Sequence, residues 1–301
     1  MDRLESMSIL VTAVETGSLS AAARRLGTPL TTVSRKVSEL ETHLKTRLLN
    51  RSSRRLILTE AGQSYFAACK RILEDVSEAE RAASGEYSAP KGDLIITAPI
   101  VFGRLHVLPV VIEFFKAFPE VDIRLVLADR VANLLEDHLD LAVRIGELPD
   151  SSLVATRIGS IRRVVCGSPD YFAERGTPES PNDLGKHDCV AFEGLMSPDT
   201  WNFASGKSDV SVAIRSRLIV NTAEAAIDAA IAGIGLTRVL SYQVASAVRA
   251  GALNIVLQKF ESAPSPVSLV YAGGRLLPLK LRAFLDFAAP RLRSRLLDDF
   301  I

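Results

Sequence analysis

The chain has 301 residues, of which 48% are hydrophobic and 24% charged, so it is long enough for two or three domains with cores of their own. The three cysteines, Cys69, Cys166 and Cys189, share no metal-like or disulfide-like spacing, and the sequence has no run of about 18 apolar residues. We therefore expect a cytoplasmic protein that has no membrane segment, no bound metal and no export signal.

Positive charge is concentrated at the start of the chain. Residues 1–60, which we call the head, carry ten Lys and Arg against six Asp and Glu, a net charge of +4, whereas the remaining residues carry a net charge of −3. A basic head on a mildly acidic body indicates that only the head binds a polyanion, with chance clustering of charge as the alternative.

The first two predicted elements of the head are helices. Apolar residues at spacings of three and four over residues 4–14 predict the first helix, with Asp2 and Glu5 as a capping box and Gly17 after its end. Ser18 fits the N-cap position of a second helix over residues 19–26, and Gly27 then supplies a tight turn.

The third predicted helix begins with Thr28 as its N-cap and Pro29 in its first turn, and it runs to Leu44. One face is an apolar stripe, and the other carries short hydroxyl side chains and one arginine: Thr31, Thr32, Ser34, Arg35 and Ser38. Slim polar side chains near a helix N-terminus can reach base edges in a major groove, and Arg35 could bind guanine O6 and N7. The alternative is the ordinary solvated face of a small helical bundle.

Residues 48–58 are predicted to form two short strands around a polar tip that contains Arg51, Arg54 and Arg55. Such a hairpin beside the helices would be a wing, and its arginines suit the phosphate backbone or a narrow minor groove. The head is therefore predicted to be an all-α winged helix-turn-helix that binds double-stranded DNA.

Ordered motifs in the head resemble those of the LysR-type transcriptional regulators, at residues 17–27, 33–35, 40–41, 47–51 and 58–62. The resemblance assigns the family's base contacts to Thr31, Ser34 and Arg35. Leu30 stands where the family commonly has Gln, and a leucine can touch a thymine methyl group but cannot make the bidentate contact of Gln with adenine. The full predicted DNA-binding set is Ser18, Leu30, Thr31, Thr32, Ser34, Arg35, Arg51 and Arg54.

Residues 61–90 are predicted to be a linker helix followed by a hinge. Apolar residues recur at spacings of four and three in a heptad-like seam: Tyr65, Cys69, Ile72, Val76, Ala79 and Ala83. The seam favours self-association, as in the dimer coiled coil of the resembling family, although it could instead face the chain's own domain.

Residues 91–301 alternate short apolar runs with helical runs, which predicts α/β layers with largely parallel sheets. Helices are expected at 105–118, 131–136, 222–232 and 278–297, and a continuous strand at 211–220. The sequence has no GxSxG or GxGxxG motif and its four histidines are scattered, so we expect neither an enzyme nor a cofactor.

Residues 98–105, 140–153 and 273–278 resemble the effector domain of LysR-type regulators, which is similar to type 2 periplasmic binding proteins. The resemblance implies two lobes: lobe I at 91–160 and 267–301, and lobe II at 161–265. The cleft between them is expected to contain Pro99, Ile100, Val101, Phe102, Arg130, Arg144, Gly146, Glu147 and Thr222.

An apolar wall beside arginines and a helix N-terminus suits a small organic acid with an apolar body, aromatic compounds included. Mutual pairing of Arg144 and Glu147 is the alternative role for those two residues. The sequence thus predicts an effector-responsive regulator that assembles into dimers and tetramers and associates with the bacterial nucleoid when bound to DNA. The other functions considered are an exported solute-binding protein, which would leave the head without a role, and an enzyme, which would need a catalytic constellation.

Overall fold

The computed structural model describes residues 2–51, 56–84, 89–129, 134, 137–149, 152–192, 199–205, 208–273 and 277–298. The chain divides into two compact units, residues 1–89 and 90–301. Within the described part of the chain, the helices are all too short or too polar to cross a membrane.

The N-terminal unit contains the predicted three helices, then a hairpin and a long helix, as follows: α1 (Arg3–Glu15), α2 (Leu19–Leu26), α3 (Leu30–Leu44), β1 (Leu49–Arg51), β2 (Leu56–Leu58) and α4 (Glu60–Ser84). Asp2 and Ser18 are N-caps, because their side-chain oxygens accept hydrogen bonds from Glu5 N at 3.2 Å and Ala21 N at 3.1 Å. β1 and β2 pair antiparallel, which confirms the predicted hairpin.

The predicted N-cap of the third helix is wrong. The helix begins at Leu30, Pro29 occupies the cap position in an extended conformation, and no side chain caps this end. Thr28 instead completes the end of α2, since its N–H donates to Ala23 O at 3.0 Å after Gly27 adopts a left-handed conformation.

The linker seam is divided between two environments. Cys69 is fully buried in the core formed by α1, α2 and α3, and Tyr65 packs against the same core. Ile72, one turn further along α4, is 40% exposed. The expectation of one continuous dimer seam is therefore wrong for its first two residues, which pack inside their own unit.

The junction between the hairpin and α4 leaves no space for a side chain at Gly62. A Cβ atom there would lie 2.0 Å from the carbonyl oxygen of Leu48, which also accepts a hydrogen bond from Thr59 N at 3.0 Å.

We expect Gly62→Ala to lower the free energy of unfolding by about 3 kcal/mol or more, because the backbone at Leu48 must move to make room for the methyl group. Urea unfolding followed by circular dichroism measures this. Gly185→Ala is the control, since open space surrounds its added Cβ, and equal stability of both variants would contradict the prediction.

The C-terminal unit alternates strands and helices, in this order: β3 (Gly92–Ala98), α5 (Ile100–Phe102), a π-helical turn (Gly103–Val107), α6 (Leu108–Ala117), β4 (Val121–Leu127), β5 (Leu141–Ile145), β6 (Leu153–Ile161), β7 (Arg163–Gly167), α7 (Pro169–Arg175), β8 (Asp188–Phe192), β9 (Thr200–Ser205), β10 (Ser208–Ala213), β11 (Arg215–Val220), α8 (Ala223–Ile231), β12 (Leu236–Leu240), α9 (Ser241–Arg249), β13 (Asn254–Val256), β14 (Ser265–Ala272) and α10 (Leu279–Asp298). Short 3-10 helices lie at Pro181–Lys186 and Gln258–Phe260.

Two five-stranded sheets organise the described part of this unit. Lobe I contains the sheet with strand order β4-β3-β5-β14-β6, and lobe II contains the sheet with order β11-β8-β12-β7-β13. The chain passes from lobe I to lobe II at Arg162 and returns between Phe260 and Ser265. β9 and β10 form a separate hairpin.

The expectation of largely parallel sheets is wrong for four of the eight strand pairings in the two described five-stranded sheets. β14 is antiparallel to β5 and β6, and β7 is antiparallel to β12 and β13. The reason is topological: the chain leaves lobe I along β6 and returns along the neighbouring β14, so these two strands must run in opposite directions.

Two predicted elements have different bounds in the structure. The helix expected at 105–118 begins at Ile100, because Asp129 Oδ1 accepts a hydrogen bond from Ile100 N at 3.0 Å and caps the helix from a distant loop. The strand expected at 211–220 is interrupted at Ile214, where β10 gives way to β11. Apart from Leu134, the helix expected at 131–136 lies outside the described residues.

Candidate DNA-binding surface and effector cleft

The polar face of α3 lies on the surface of the N-terminal unit. Thr31 and Arg35 are exposed, Thr32 and Ser34 are half-buried, and Leu30 is 46% exposed although it is apolar. The opposite face is anchored by fully buried residues, namely Val33, Val37 and Leu40. The predicted base-contacting side chains are therefore together on one accessible side of the helix.

Arg35 is held by a partner in the absence of DNA. Its guanidinium pairs with Glu39 one turn along α3, and the side chains are 59% and 35% exposed. A surface pair of this kind stabilises a protein by well under 1 kcal/mol on average. Exchanging Glu39 for the edge of a guanine would therefore cost Arg35 little free energy.

The other predicted DNA-binding residues have different surroundings. The hydroxyl group of Ser18 is the N-cap of α2, where it accepts a hydrogen bond from Ala21 N. Arg51 is the last residue of β1, and Arg54 lies outside the described residues.

Residues 99–102 form a different surface from the one predicted. Pro99 and Ile100 are half-buried, but Val101 and Phe102 are buried in the core of lobe I. The helix that begins at Ile100 turns these two side chains inward, so an apolar wall of four residues is not available. Phe102 nonetheless reaches the second lobe, because its ring packs against Tyr242 of α9.

The end of β5 and the segment after it contain three of the predicted cleft residues. Arg144 is half-buried, and burial lowers its pKa while the negative charge of Asp137 opposes that change. Glu147 is exposed, and Gly146 has a φ of 117° and donates its N–H to Pro266 O at 2.8 Å. Asp137, which the sequence analysis did not consider, is thus a charged neighbour of Arg144. Arg130 lies outside the described residues.

Thr222 is the N-cap of α8, as predicted, and its hydroxyl accepts a hydrogen bond from Ala225 N at 3.3 Å. The start of α8 contacts lobe I, since Ala223 is buried in the core of that lobe and Glu224 lies 4.0 Å from Arg104. Because Ala225 N donates to the Thr222 hydroxyl, one of the helix N–H groups that were expected to bind an anion already has a partner.

Sequence analysis missed the residues that join the two lobes. The rings of Phe102 and His106 lie with centroids 4.6 Å apart, and Tyr242 of lobe II is 5.5 Å and 5.4 Å from them. The spacing of Phe102 and His106 is a helical repeat that could have paired them on one face. Tyr242 has no comparable signal in the sequence.

A second missed cluster lies where the chain crosses between the lobes. One guanidinium nitrogen of Arg162 contacts both carboxylate oxygens of Glu261, at 2.9 and 3.2 Å, and the side chains are only 22% and 11% exposed. Burial raises the pKa of Glu261, although Arg162 and Arg238 both oppose this. Burial, together with repulsion from Arg163, lowers the pKa of Arg238 to about 10.

The described residues contain no group of three or more His, Cys, Asp and Glu side chains that could hold a metal ion. What the geometry defines is a winged helix-turn-helix with an accessible polar recognition face, accompanied by a two-lobed α/β domain with contacts across its cleft. This combination is the architecture of an effector-responsive DNA-binding regulator.

Comparison with known proteins agrees with that class. The model of the bacterial regulatory helix-turn-helix protein, lysR family, matches residues 4–63, and that of the LysR substrate binding domain matches residues 88–293. An HTH-type transcriptional regulator of Xanthomonas campestris pv. campestris is 37% identical over 96% of this chain and 85% of its own length. An HTH-type transcriptional repressor of Pseudomonas aeruginosa is 36% identical over 95% of this chain and 91% of its own length.

Among solved structures, CrgA of Neisseria meningitidis, a LysR-type transcriptional regulator, is 32% identical, with 96% of this chain and 98% of that chain covered and a TM-score of 0.61. The chain belongs to the LysR family of transcriptional regulators. Regulators of this family bind DNA and small-molecule effectors and form oligomers, and its relatives are regulators rather than enzymes.

Proposed function

We propose that α3 reads operator DNA in the major groove, with Arg35, Thr31 and Ser34 as its base contacts and Leu30 against a thymine methyl group. The phosphate backbone of the DNA would be contacted by the remaining predicted residues, Ser18, Thr32, Arg51 and Arg54. The observation that carries this proposal is the accessible polar face of α3 opposite its fully buried apolar stripe.

Arg35→Ala is expected to weaken binding to operator DNA by about 1–3 kcal/mol while leaving binding to random DNA nearly unchanged, because a lost base contact removes only the specific part of the affinity. Titration of both DNAs at two salt concentrations measures this. Arg25→Ala is the matched control, since Arg25 is an exposed α2 residue that pairs with Glu15. Arg25→Ala should weaken binding to operator DNA and to random DNA by the same factor. If Arg35→Ala also weakened both by the same factor, Arg35 would not contact the bases.

For the effector, we propose a small organic anion with an apolar body that binds between the two lobes, near Pro99, Ile100, Phe102, Arg130, Arg144, Gly146, Glu147 and Thr222. The buried rings at the lobe contact and the helix start at Thr222 support an apolar body and an anionic group, respectively. A thermal-shift screen of the full chain against small carboxylates tests this, because a true ligand stabilises the folded state by mass action.

We propose further that the protein forms tetramers through two separate surfaces. The first is the face of α4 that includes Ile72 and Val76. The second, which we call the α6 stripe, is a row of apolar side chains along one side of the helix that starts at Ile100, each between 37% and 52% exposed: Leu105, Leu108, Ile112 and Phe115. Spacings of three and four place these residues on one face.

The proposed boundaries are a head at 1–60, a linker and hinge at 61–90, and an effector domain at 91–301. Within that domain, lobe I would comprise 91–160 and 267–301, and lobe II would comprise 161–265. The chain's passage between the sheets at Arg162 and before Ser265 supports these limits. We place the protein in the cytoplasm, associated with the nucleoid when bound to its operator.

A further inference from the structure

The polar face of α3 carries a carboxylate beside its arginine. Helix α3 contains two acidic residues, Glu39 and Glu41. Glu41 is turned toward the start of the hairpin, where its Oε1 accepts hydrogen bonds from Leu48 N at 2.8 Å and Leu49 N at 3.1 Å. Glu39 instead pairs with Arg35 on the face that is proposed to meet DNA. A carboxylate on that face repels a polyanion, so its presence needs a reason other than affinity.

The stability of α3 does not supply that reason. An ion pair between residues four positions apart stabilises a helix more when the acid precedes the base, because this order complements the helix dipole. In α3 the order is reversed, since Arg35 lies one turn before Glu39. Exposed pairs of this kind contribute little to folding in any case. The pair is therefore better explained by what it does to Arg35.

The contact with Glu39 leaves one edge of the guanidinium for DNA. Arg35 donates to Glu39 Oε1 through Nη1, so the edge formed by Nε and Nη2 lies outside the pair. Two parallel N–H groups on one edge of an arginine match O6 and N7 of guanine. Because the Arg35 side chain is 59% exposed, this edge can approach a base while Nη1 stays on the carboxylate. Exchange of Glu39 for guanine is thus affordable in free energy but is not required.

The carboxylate of Glu39 affects contacts with phosphates and contacts with bases differently. Attraction to phosphate depends on the charge of the guanidinium, and Glu39 neutralises that charge locally. Hydrogen bonds to a guanine edge depend on where the donors point, and a tethered guanidinium loses less conformational freedom when it forms them. Glu39 therefore weakens the contact that is the same on every DNA and preserves the one that reads sequence.

We propose that Glu39 is a positioning residue that sets the sequence specificity of the protein, because it directs Arg35 toward guanine and keeps it from neighbouring phosphates. The inference rests on the proposed base contact of Arg35 and adds the group that restricts this contact to bases. Without the charge of Glu39, Arg35 becomes an additional phosphate contact on any DNA, and discrimination between DNA sequences falls.

Glu39→Gln in the full chain tests this, since it removes the charge and keeps the shape of the side chain. The probes are the duplex that the wild-type chain enriches most from a randomised pool and a scrambled duplex of the same length and composition. We expect Glu39→Gln to bind the scrambled duplex more tightly, with a log–log salt slope steeper by roughly 0.9 because one phosphate contact is gained. The ratio of the two affinities should fall about two- to five-fold, the effect of one exposed ion pair.

Two further variants separate this role from a general effect of charge. Glu15→Gln is the matched control, because Glu15 and Arg25 are 37% and 62% exposed, compared with 35% and 59% for Glu39 and Arg35. It changes the net charge by the same amount and should leave the affinity ratio unchanged. In the Arg35→Ala background, Glu39→Gln should also leave the ratio unchanged, because Glu39 acts only through Arg35.

Three results would overturn the role of Glu39. The first is an unchanged affinity ratio in Glu39→Gln, and the second is an equal fall of the ratio in Glu15→Gln. The third is an equal fall caused by Glu39→Gln in the Arg35→Ala background, which would mean that Glu39 contacts DNA itself. Failure of the proposed DNA-reading function is distinguishable, because Arg35→Ala alone would then keep the wild-type ratio, and this would also remove the basis of the present proposal.

Discussion

Ile72→Asp combined with Val76→Asp is expected to convert the protein to a species that no longer pairs through α4, and to lower operator affinity roughly 10²–10⁴-fold. Ile72 is an exposed apolar residue on a helix whose preceding turn is anchored in the core by Cys69. Carboxylates that face their own copies across a helix pair repel each other and lose the apolar contact. Analytical ultracentrifugation measures the assembly state, and titration of operator DNA measures affinity.

Two control variants make this result specific. Ser77→Asp adds one charge to an exposed position of α4 beside the seam and should leave assembly intact. Ile112→Asp disrupts the α6 stripe and should stop assembly at the dimer, because the α4 surface is untouched. An Ile72→Asp/Val76→Asp protein that sediments like the wild type would exclude α4 as an interface.

Glu261→Ala is expected to lower the free energy of unfolding by about 3–5 kcal/mol. The carboxylate faces both Arg162 and Arg238, so its removal leaves two poorly solvated guanidinium groups without the same counter-charge. Since burial raises the pKa of Glu261, its own desolvation offsets part of the attraction, and most of the loss comes from the arginines left behind. Arg162→Ala should lower the free energy of unfolding by less, because Glu261 would still have the positive charge of Arg238 nearby.

Chemical denaturation of the full chain tests this order of stabilities. Glu113→Ala is the matched control, since Glu113 also faces two arginines, Arg291 and Arg295, but on an exposed surface where such pairs contribute under about 1 kcal/mol. In the double variant Arg162→Ala/Glu261→Ala, the loss should be smaller than the sum of the two single losses. If Glu261→Ala lowered the free energy of unfolding no more than Glu113→Ala does, the Arg162–Glu261 pair would not stabilise the crossover between the lobes.

The elements of the head could be predicted because their determinants are local. Helix α2, for example, is specified by its N-cap Ser18 and by Gly27 after its end, both within a few residues of the helix itself. The start of α3 was misplaced because a good capping residue, Thr28, was recruited by the preceding helix. Local signals therefore identify the elements but can assign a shared residue to the wrong neighbour.

The contacts between the lobes could not be predicted, because they join residues far apart in the chain. The Arg162–Glu261 pair spans 99 positions, and neither residue belongs to a recognisable motif. The helix start at Ile100 depends on Asp129 in the same way, and this distant cap is what turned Val101 and Phe102 into the core and away from the predicted cleft wall. Pattern and resemblance predicted which segments lie near the cleft, whereas the direction of each side chain depends on the fold.

The strand order determines which lobe can fold first while the chain is being synthesised. Every strand of the lobe II sheet lies between Arg163 and Val256, whereas the lobe I sheet needs β14, which is inserted between β5 and β6. The strands of lobe II therefore emerge from the ribosome before the strand that completes the lobe I sheet does. Until residue 272 emerges, β5 and β6 keep open hydrogen-bonding edges, and a chain terminated after β13 would retain them permanently. Such truncated products should aggregate through these edges even though lobe II is complete.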